Sequence, residues 1–232
     1  MKLVFGLLSD AHGNLEAYEL GVEILRSRGA SELFFLGDAV GYLPGAAVVE
    51  ALARDGVLTV RGNHEEMLLE GSLTNEQDSV YQLLGTRSEM GSELLGWVEE
   101  WPVTRSIESA EGGIRMVHGH LKDPINGYVY PDSPLIDLDL GSPTTVFMGA
   151  THRPFVREIG STTYVNVGSC GIPRDHGNLG SVCLFDTASR GASIIRYDIA
   201  AATESALLRC GPVHETVLET FGRRGSYMGE MA

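Results

Sequence analysis

A chain of 232 residues with 43% hydrophobic and 21% charged residues has the profile of a soluble globular protein able to bury a full core. Its formal net charge of −14 repels nucleic acid and anionic membranes, so neither is an expected partner and a phosphate-bearing ligand has to find local positive charge. No stretch approaches transmembrane length, and the three cysteines (Cys170, Cys183, Cys210) lack metal-type spacing, which points to a reducing, cytoplasmic setting without a disulfide framework.

The N-terminal run LVFGLL is too short for a signal h-region and leads straight into SDAHGN, so residues 2–8 read as a buried strand. Leu15, Tyr18, Val22 and Leu25 then recur at helical spacing, predicting a helix over 14–28 with Gly29 as its stop. Strand 33–36 ends in Gly37-Asp38, helix 46–54 follows Pro44, and strand 57–60 ends in RGNHEE. Strand and helix thus repeat in the pattern of a layered α/β domain. Helical pieces are expected at 64–71, 78–88 and 92–101, forming a roof over 65–105. The second half reads as strands at 103–109, 113–120, 144–152, 155–160, 162–169, 180–186 and 192–198, interrupted by a Pro- and Gly-rich loop at 122–134. A main domain over 1–200 followed by a helix and tail at 201–232 is the expected organisation, the last fifteen or so residues fraying.

The informative residues stand where apolar runs end: Asp10 and His12 (SDAHGN), Asp38 (LGDAV), Asn63 and His64 (RGNHEE), His118 and His120 (MVHGH), and His152 (GATH). Ligands collect at the carboxyl ends of strands in α/β sheets, and glycines there allow close backbone approach. Singly, each motif has a plainer reading: DxH as a capped turn, GNHE as a turn with a helix cap, His118 as a satisfied core histidine, the last of which also suits His176 and His214. Together, five of the seven histidines joined by two aspartates and an asparagine form a borderline donor set, suited to Mn, Fe, Zn, Co or Ni rather than Mg or Ca. The ligands are too many for one tetrahedral zinc, and two divalent ions sharing a carboxylate account for the number. Arg61, Arg87, Arg153 and Arg174 are scattered; any of them could touch substrate, and paired surface charge is the plainer role for each.

In this order the motifs DAH, GD, GNHE, HGH and GATH resemble the calcineurin-like metallophosphoesterases, whose pattern is D-x-H, G-D, G-N-H-(D/E), H and G-H-x-H. GDAVGYLPG, NVGSCGIPRD and RYD are similar to the small bacterial branch of that family, and the likeness covers roughly residues 1–198. It implies a four-layer α/β/β/α sandwich with two mixed sheets. By position, Asp10, His12 and His152 would bind a first metal, Asp38 would bridge, and Asn63 and His118 would bind a second. His64 would be the non-ligand histidine that assists the leaving oxygen, next to helix N–H groups and oriented by Glu65 or Glu66.

Two departures stand out. Ala150 replaces a second-metal ligand; on a continuing strand it would face the same side as His152, so the second metal is expected to be held by fewer ligands and more weakly than the first, with His120 as the alternative, a substitute ligand. GDAVGYLPG lacks the Asp and Arg of the G-D-x-V-D-R-G form found in protein phosphatases and dinucleoside polyphosphate hydrolases, and with them a bidentate phosphate anchor. The implied function is hydrolysis of a small phosphate ester by in-line attack of a metal-bound hydroxide. The alternatives are a phosphodiesterase, for cyclic nucleotides or other diesters, and a phosphate-binding regulatory module weakened by Ala150. The oligomeric state is left open.

Overall fold

The protein is described by a computed structural model over residues 3–109 and 111–232. The first half runs β1 (Val4–Leu8), α1 (Leu15–Ser27), β2 (Glu32–Phe35), α2 (Ala46–Arg54), β3 (Leu58–Thr59), α3 (Asn63–Glu70), α4 (Asn75–Tyr81) and α5 (Leu83–Glu99). The strand-rich half runs β4 (Thr104–Ser109), β5 (Gly112–Val117), β6 (Thr144–Met148), β7 (Phe155–Ile159), β8 (Thr162–Asn166), β9 (Leu179–Asp186) and β10 (Gly191–Asp198). It closes with α6 (Ala200–Cys210), α7 (Glu215–Phe221) and β11 (Glu230–Met231). Lys2, the start of the first expected strand, lies outside the described residues.

Two mixed sheets result, ordered β11-β10-β9-β1-β2-β3 and β4-β5-β6-β8-β7. The period of two along each strand assigns every side chain to a layer. Phe5 and Leu7 of β1, with Phe34 and Leu36, meet Ile114, Met116, Phe147 and Val165 of the second sheet in the central core. Leu8, Leu33 and Phe35 face the other way, onto Tyr18, Val22 and Leu25 of α1 and Val48 and Leu52 of α2. Burial on both faces is why these strands read as continuous apolar runs. The outer face of the second sheet, with Val146, Met148 and Tyr164, is covered by Leu121, Val129, Leu135 and Leu138 from the segment that follows β5. No helix among the described residues is long and apolar enough to cross a membrane.

Three expectations are corrected. β5 ends at Val117 and β6 at Met148, so 118–120 and 149–152 are turns rather than strand ends. The expected helix over 78–88 is broken at Gln82, a left-handed residue that caps α4. The tail is not frayed: β11 pairs parallel with β10, and the Gly225 N–H donates to the Asp175 carbonyl at 2.9 Å. Its partner is a buried charge that apolar patterning does not reveal. Arg196, fully buried on β10, donates to both carboxylate oxygens of Asp175 (2.5 and 2.9 Å) and lies 5.6 Å from the Tyr227 ring centre in the tail.

Candidate active site

The loops after β1, β2, β3, β5 and β6 meet at one edge where the two sheets abut. The backbone there is left-handed at Asp10 (φ 56°), His12 (48°), Asp38 (61°), Tyr42 (68°), Ala150 (64°) and His152 (56°). Non-glycine residues rarely adopt that region, and such strain concentrates at functional sites. Hydrogen bonds between the loops hold it: His12 N–H to the Asp38 carbonyl at 3.0 Å, and Gly149 N–H to the His118 carbonyl at 2.9 Å.

Three imidazoles are oriented in the same way. His12 Nδ1 faces the Val40 carbonyl (3.0 Å), His118 Nδ1 the Leu36 carbonyl (2.7 Å) and His152 Nδ1 the Ile172 carbonyl (2.6 Å). A carbonyl only accepts, so each Nδ1 carries the hydrogen and each Nε2 turns its lone pair inward. His12 Nε2 and His152 Nε2 stand 3.0 Å apart, two lone pairs face to face. Asp10 Oδ1 lies 3.3 Å from His152 Nε2 and, although buried, has no hydrogen-bond donor. His118 Nε2 faces only acceptors, Asn63 Oδ1 at 3.1 Å and Asp38 Oδ2 at 3.3 Å. Such contacts demand positive charge between them, and spacings near 3 Å suit atoms sharing one cation with bonds of about 2 Å. The residues therefore fit divalent metal. Three groups each bring ligand atoms within 4.8 Å of one another: Asp10, His12 and His152; His12, Asp38 and His64; Asp10, Asp38 and His118.

The electrostatics express the same demand. Burial pushes His12 and His152 down, disfavouring protons on the nitrogens that face each other. Burial also lowers His118, but Asp38 outweighs it and raises this imidazole to about 10. Burial raises Asp38, yet His118 and His64 overcome that and hold the carboxyl well below the usual range.

His64 is the second residue of α3. Its Nδ1 lies against the Gly41 backbone, where a Cβ would come within 2.0 Å, while Nε2 turns toward Asp38 Oδ2 at 3.9 Å. Gly41 has φ 91°, so both its conformation and the ring require glycine. Burial pushes His64 down to about 4. The helix N-terminus expected at His64 is the start of α3, and the His64 N–H there donates to Asp38 Oδ1 at 3.0 Å. Neither glutamate orients the ring. Glu65 accepts the N–H groups of Asp38 (2.8 Å), Ala39 (2.7 Å) and Gly62 (2.8 Å), pinning the β2 loop to α3, while Glu66 pairs with Arg61 at 3.2 Å.

His120 lies apart from these groups. The turn at 119–123 sends its Nδ1 to the Lys122 N–H at 3.1 Å, so it is no substitute ligand. Ala150 contributes its backbone instead, donating N–H to Asp10 Oδ2 at 3.2 Å. Paired charge describes Arg61 but not the other arginines singled out from sequence. Arg87 caps the Leu69 carbonyl at 2.9 Å, and Arg174 donates to the Tyr42 hydroxyl at 2.9 Å. Tyr42, overlooked in the sequence, packs its ring 4.7 Å from that of His12. The one available signal was its place in GDAVGYLPG, where the other form of the motif carries arginine.

Eleven strands in two abutting mixed sheets, with a buried Asp/His cluster at their shared edge, define a metallohydrolase architecture among the described residues. The model of the calcineurin-like phosphoesterase superfamily domain matches residues 1–190, and the chain belongs to that superfamily of phosphoester-bond hydrolases. It is 31% identical over 228 residues to the Methanocaldococcus jannaschii protein MJ0912, covering 88% of this chain and 92% of the relative. It is 28% identical over 189 residues to the phosphodiesterase YfcE of Escherichia coli K12, covering 80% and 88%. The metallophosphoesterase structure from Sphaerobacter thermophilus matches in fold with a TM-score of 0.73 at 22% identity, over 96% of this chain and 99% of that one.

Proposed function

We propose that the protein is a binuclear metal-dependent phosphoesterase acting on a small phosphate ester. The observation that carries this reading is the convergence of the His12, His118 and His152 Nε2 lone pairs on the donor-less Asp10 Oδ1 and on Asp38 Oδ2. Asp10, His12 and His152 would hold one cation, Asn63 and His118 a second, and Asp38 both. Bound there, Mn, Fe, Zn, Co or Ni would supply Lewis-acid chemistry at phosphorus.

The remaining work falls to the chain itself. Asp38 holds its loop on α3 through the His64 N–H and keeps Oδ2 for the centre of the cluster. His64, which burial keeps neutral in the free site, turns Nε2 inward toward Asp38 Oδ2 and leaves Nδ1 without a hydrogen-bond partner. An anionic phosphoryl group beside it would raise its basicity, so that His64 takes up a proton from solvent, binds a phosphoryl oxygen as the imidazolium and returns that proton to the departing alkoxide, ending neutral. Tyr42 and Tyr81 flank its ring at 4.9 and 5.1 Å and keep it dry. Residues 1–200 would carry this chemistry, with 201–232 adding a wall beside it. Three free cysteines, two of them buried, support a reducing cytoplasmic setting.

A diester substrate is the second reading, supported by the likeness to YfcE, a phosphodiesterase. A panel of p-nitrophenyl mono- and diesters with added Mn²⁺ tests both. Turnover that requires the metal and is lost with chelator is expected, and the faster class decides between them. No turnover of either class would overturn the enzymatic reading in favour of a phosphate-binding module.

A further inference from the structure

A cavity of about 400 Å³ adjoins the Asp/His cluster. Tyr42, Tyr81 and Tyr130 line it together with Arg153, Arg174 and Arg223, and α7 forms one side. The described lining residues include no aspartate or glutamate. It lies beside the site: Arg153 follows His152 in the chain, the Tyr42 ring is 4.7 Å from His12, and the Tyr81 ring is 5.1 Å from His64.

Arg174 is the built part of this cavity. It is half-buried, donates to the Tyr42 hydroxyl at 2.9 Å and lies 5.9 Å from that ring's centre. Among the described residues none of the three arginines meets a carboxylate, whereas Arg54, Arg61, Arg115, Arg196 and Arg209 each do. In a chain of net charge −14, three guanidinium groups around an acid-free cavity repel one another unless an anion enters. The scissile phosphate belongs on the Asp/His cluster, so that anion is a different one. Guanidinium forks suit phosphate and carboxylate, and the volume holds more than a bare ion.

We infer that this cavity is the subsite for a second anionic group, phosphate or carboxylate, carried on the alcohol portion of the substrate. The inference rests on the phosphoesterase reading above and narrows it to doubly anionic esters rather than simple alkyl or aryl phosphates. Arg153 and Arg174 lie within the superfamily match over residues 1–190, and Arg223 and α7 lie beyond it, so the C-terminal segment completes the cavity.

Matched ligand pairs test it. 3-Phosphoglycerate against glycerol 3-phosphate isolates a carboxylate, and adenosine 3′,5′-bisphosphate against adenosine 3′-monophosphate isolates a phosphate. Binding to the Mn²⁺-loaded protein is measured by calorimetry, so the result does not depend on turnover. The doubly anionic member of at least one pair is expected to bind about tenfold or more tightly, and the pair that shows it identifies the anion. Arg174→Met, Arg153→Ala and Arg223→Ala should each shrink that ratio, with Arg174→Lys retaining part of it. Both members of a pair share the scissile phosphate, so general damage cancels in the ratio. A ratio near one for both pairs in the wild type, or one unmoved by all three arginine losses, overturns the inference. Failure to hydrolyse the p-nitrophenyl esters would overturn the phosphoesterase reading separately, leaving the binding ratio to judge the cavity.

Discussion

Asp38 uses its two oxygens differently. Oδ1 takes the His64 N–H at 3.0 Å, and Oδ2 is left among His118, His12 and His64 at 3.3, 3.7 and 3.9 Å. Asp38→Asn keeps the size but replaces one oxygen by an N–H donor and removes the charge that both cations would share. It is expected to lower kcat/KM by more than about tenfold, and a variant above a tenth of wild type would refute the bridging role. His64→Ala tests a separate step. It should lower kcat with metal content unchanged, and the loss should be smaller for p-nitrophenyl than for alkyl phosphates, because p-nitrophenol leaves without a proton. Equal losses for both would remove the proton-donor role and leave only phosphate contact. The residues of the cluster were legible because imidazole, carboxylate and amide recur at the ends of apolar runs, where packing alone does not ask for them. Tyr42 and Arg174 were not, since neither has a pattern of its own; their roles arise from a contact across 132 positions of sequence.

Elements were read well where one physical rule governed them and less well where two competed. Strands β1, β2 and β6 announce themselves because burial on both faces leaves an unbroken apolar run. The same run made GATH look like more strand, although the left-handed backbone at Ala150 and His152 ends the pairing at Met148. The tail misled for the opposite reason: its residues are exposed and follow no apolar period, and it is held by main-chain bonds and by the charge beneath it. That charge gives the element-scale prediction. Arg196 is fully buried, and its carboxylate partner Asp175 also accepts the tail's Gly225 N–H through its backbone. Asp175→Ala leaves a buried guanidinium uncompensated, which costs about 3–5 kcal/mol. Urea unfolding should show the midpoint falling, and Arg196→Met in the same background should recover part of the loss by removing the charge as well. A midpoint unchanged by Asp175→Ala would show that the ion pair does not hold the tail.

At the scale of the molecule, the cluster joins the two sheets. Asp10, His12, Asp38 and Asn63 follow strands of the first sheet, and His118 and His152 follow strands of the second. Two buried carboxylates, Asp10 and Asp38, converge there within one 4.8 Å group in a chain already at −14. Divalent cations held by these ligands neutralise that repulsion and tie the sheets together, so binding should stabilise the whole fold. Ligand at about 100 times Kd adds about 2.7 kcal/mol. For a chain of this length that corresponds to a rise in Tm of about 5–10 °C. The two sites should fill unequally. On the binuclear reading, Asp10, His12 and His152 would give the first a complete set of side chains, while the second would lack the ligand that Ala150 does not provide. Calorimetric titration of metal-free protein with Mn²⁺ is therefore expected to show one tight and one weaker site, with Tm rising mainly as the tight one fills. Ala150→His is a tolerable change at φ 64°, since histidine enters the left-handed region more readily than most residues, and it should tighten only the weaker site. Two equally tight sites in the wild type, or a Tm indifferent to Mn²⁺, would show that the cluster does not bind metal in this way.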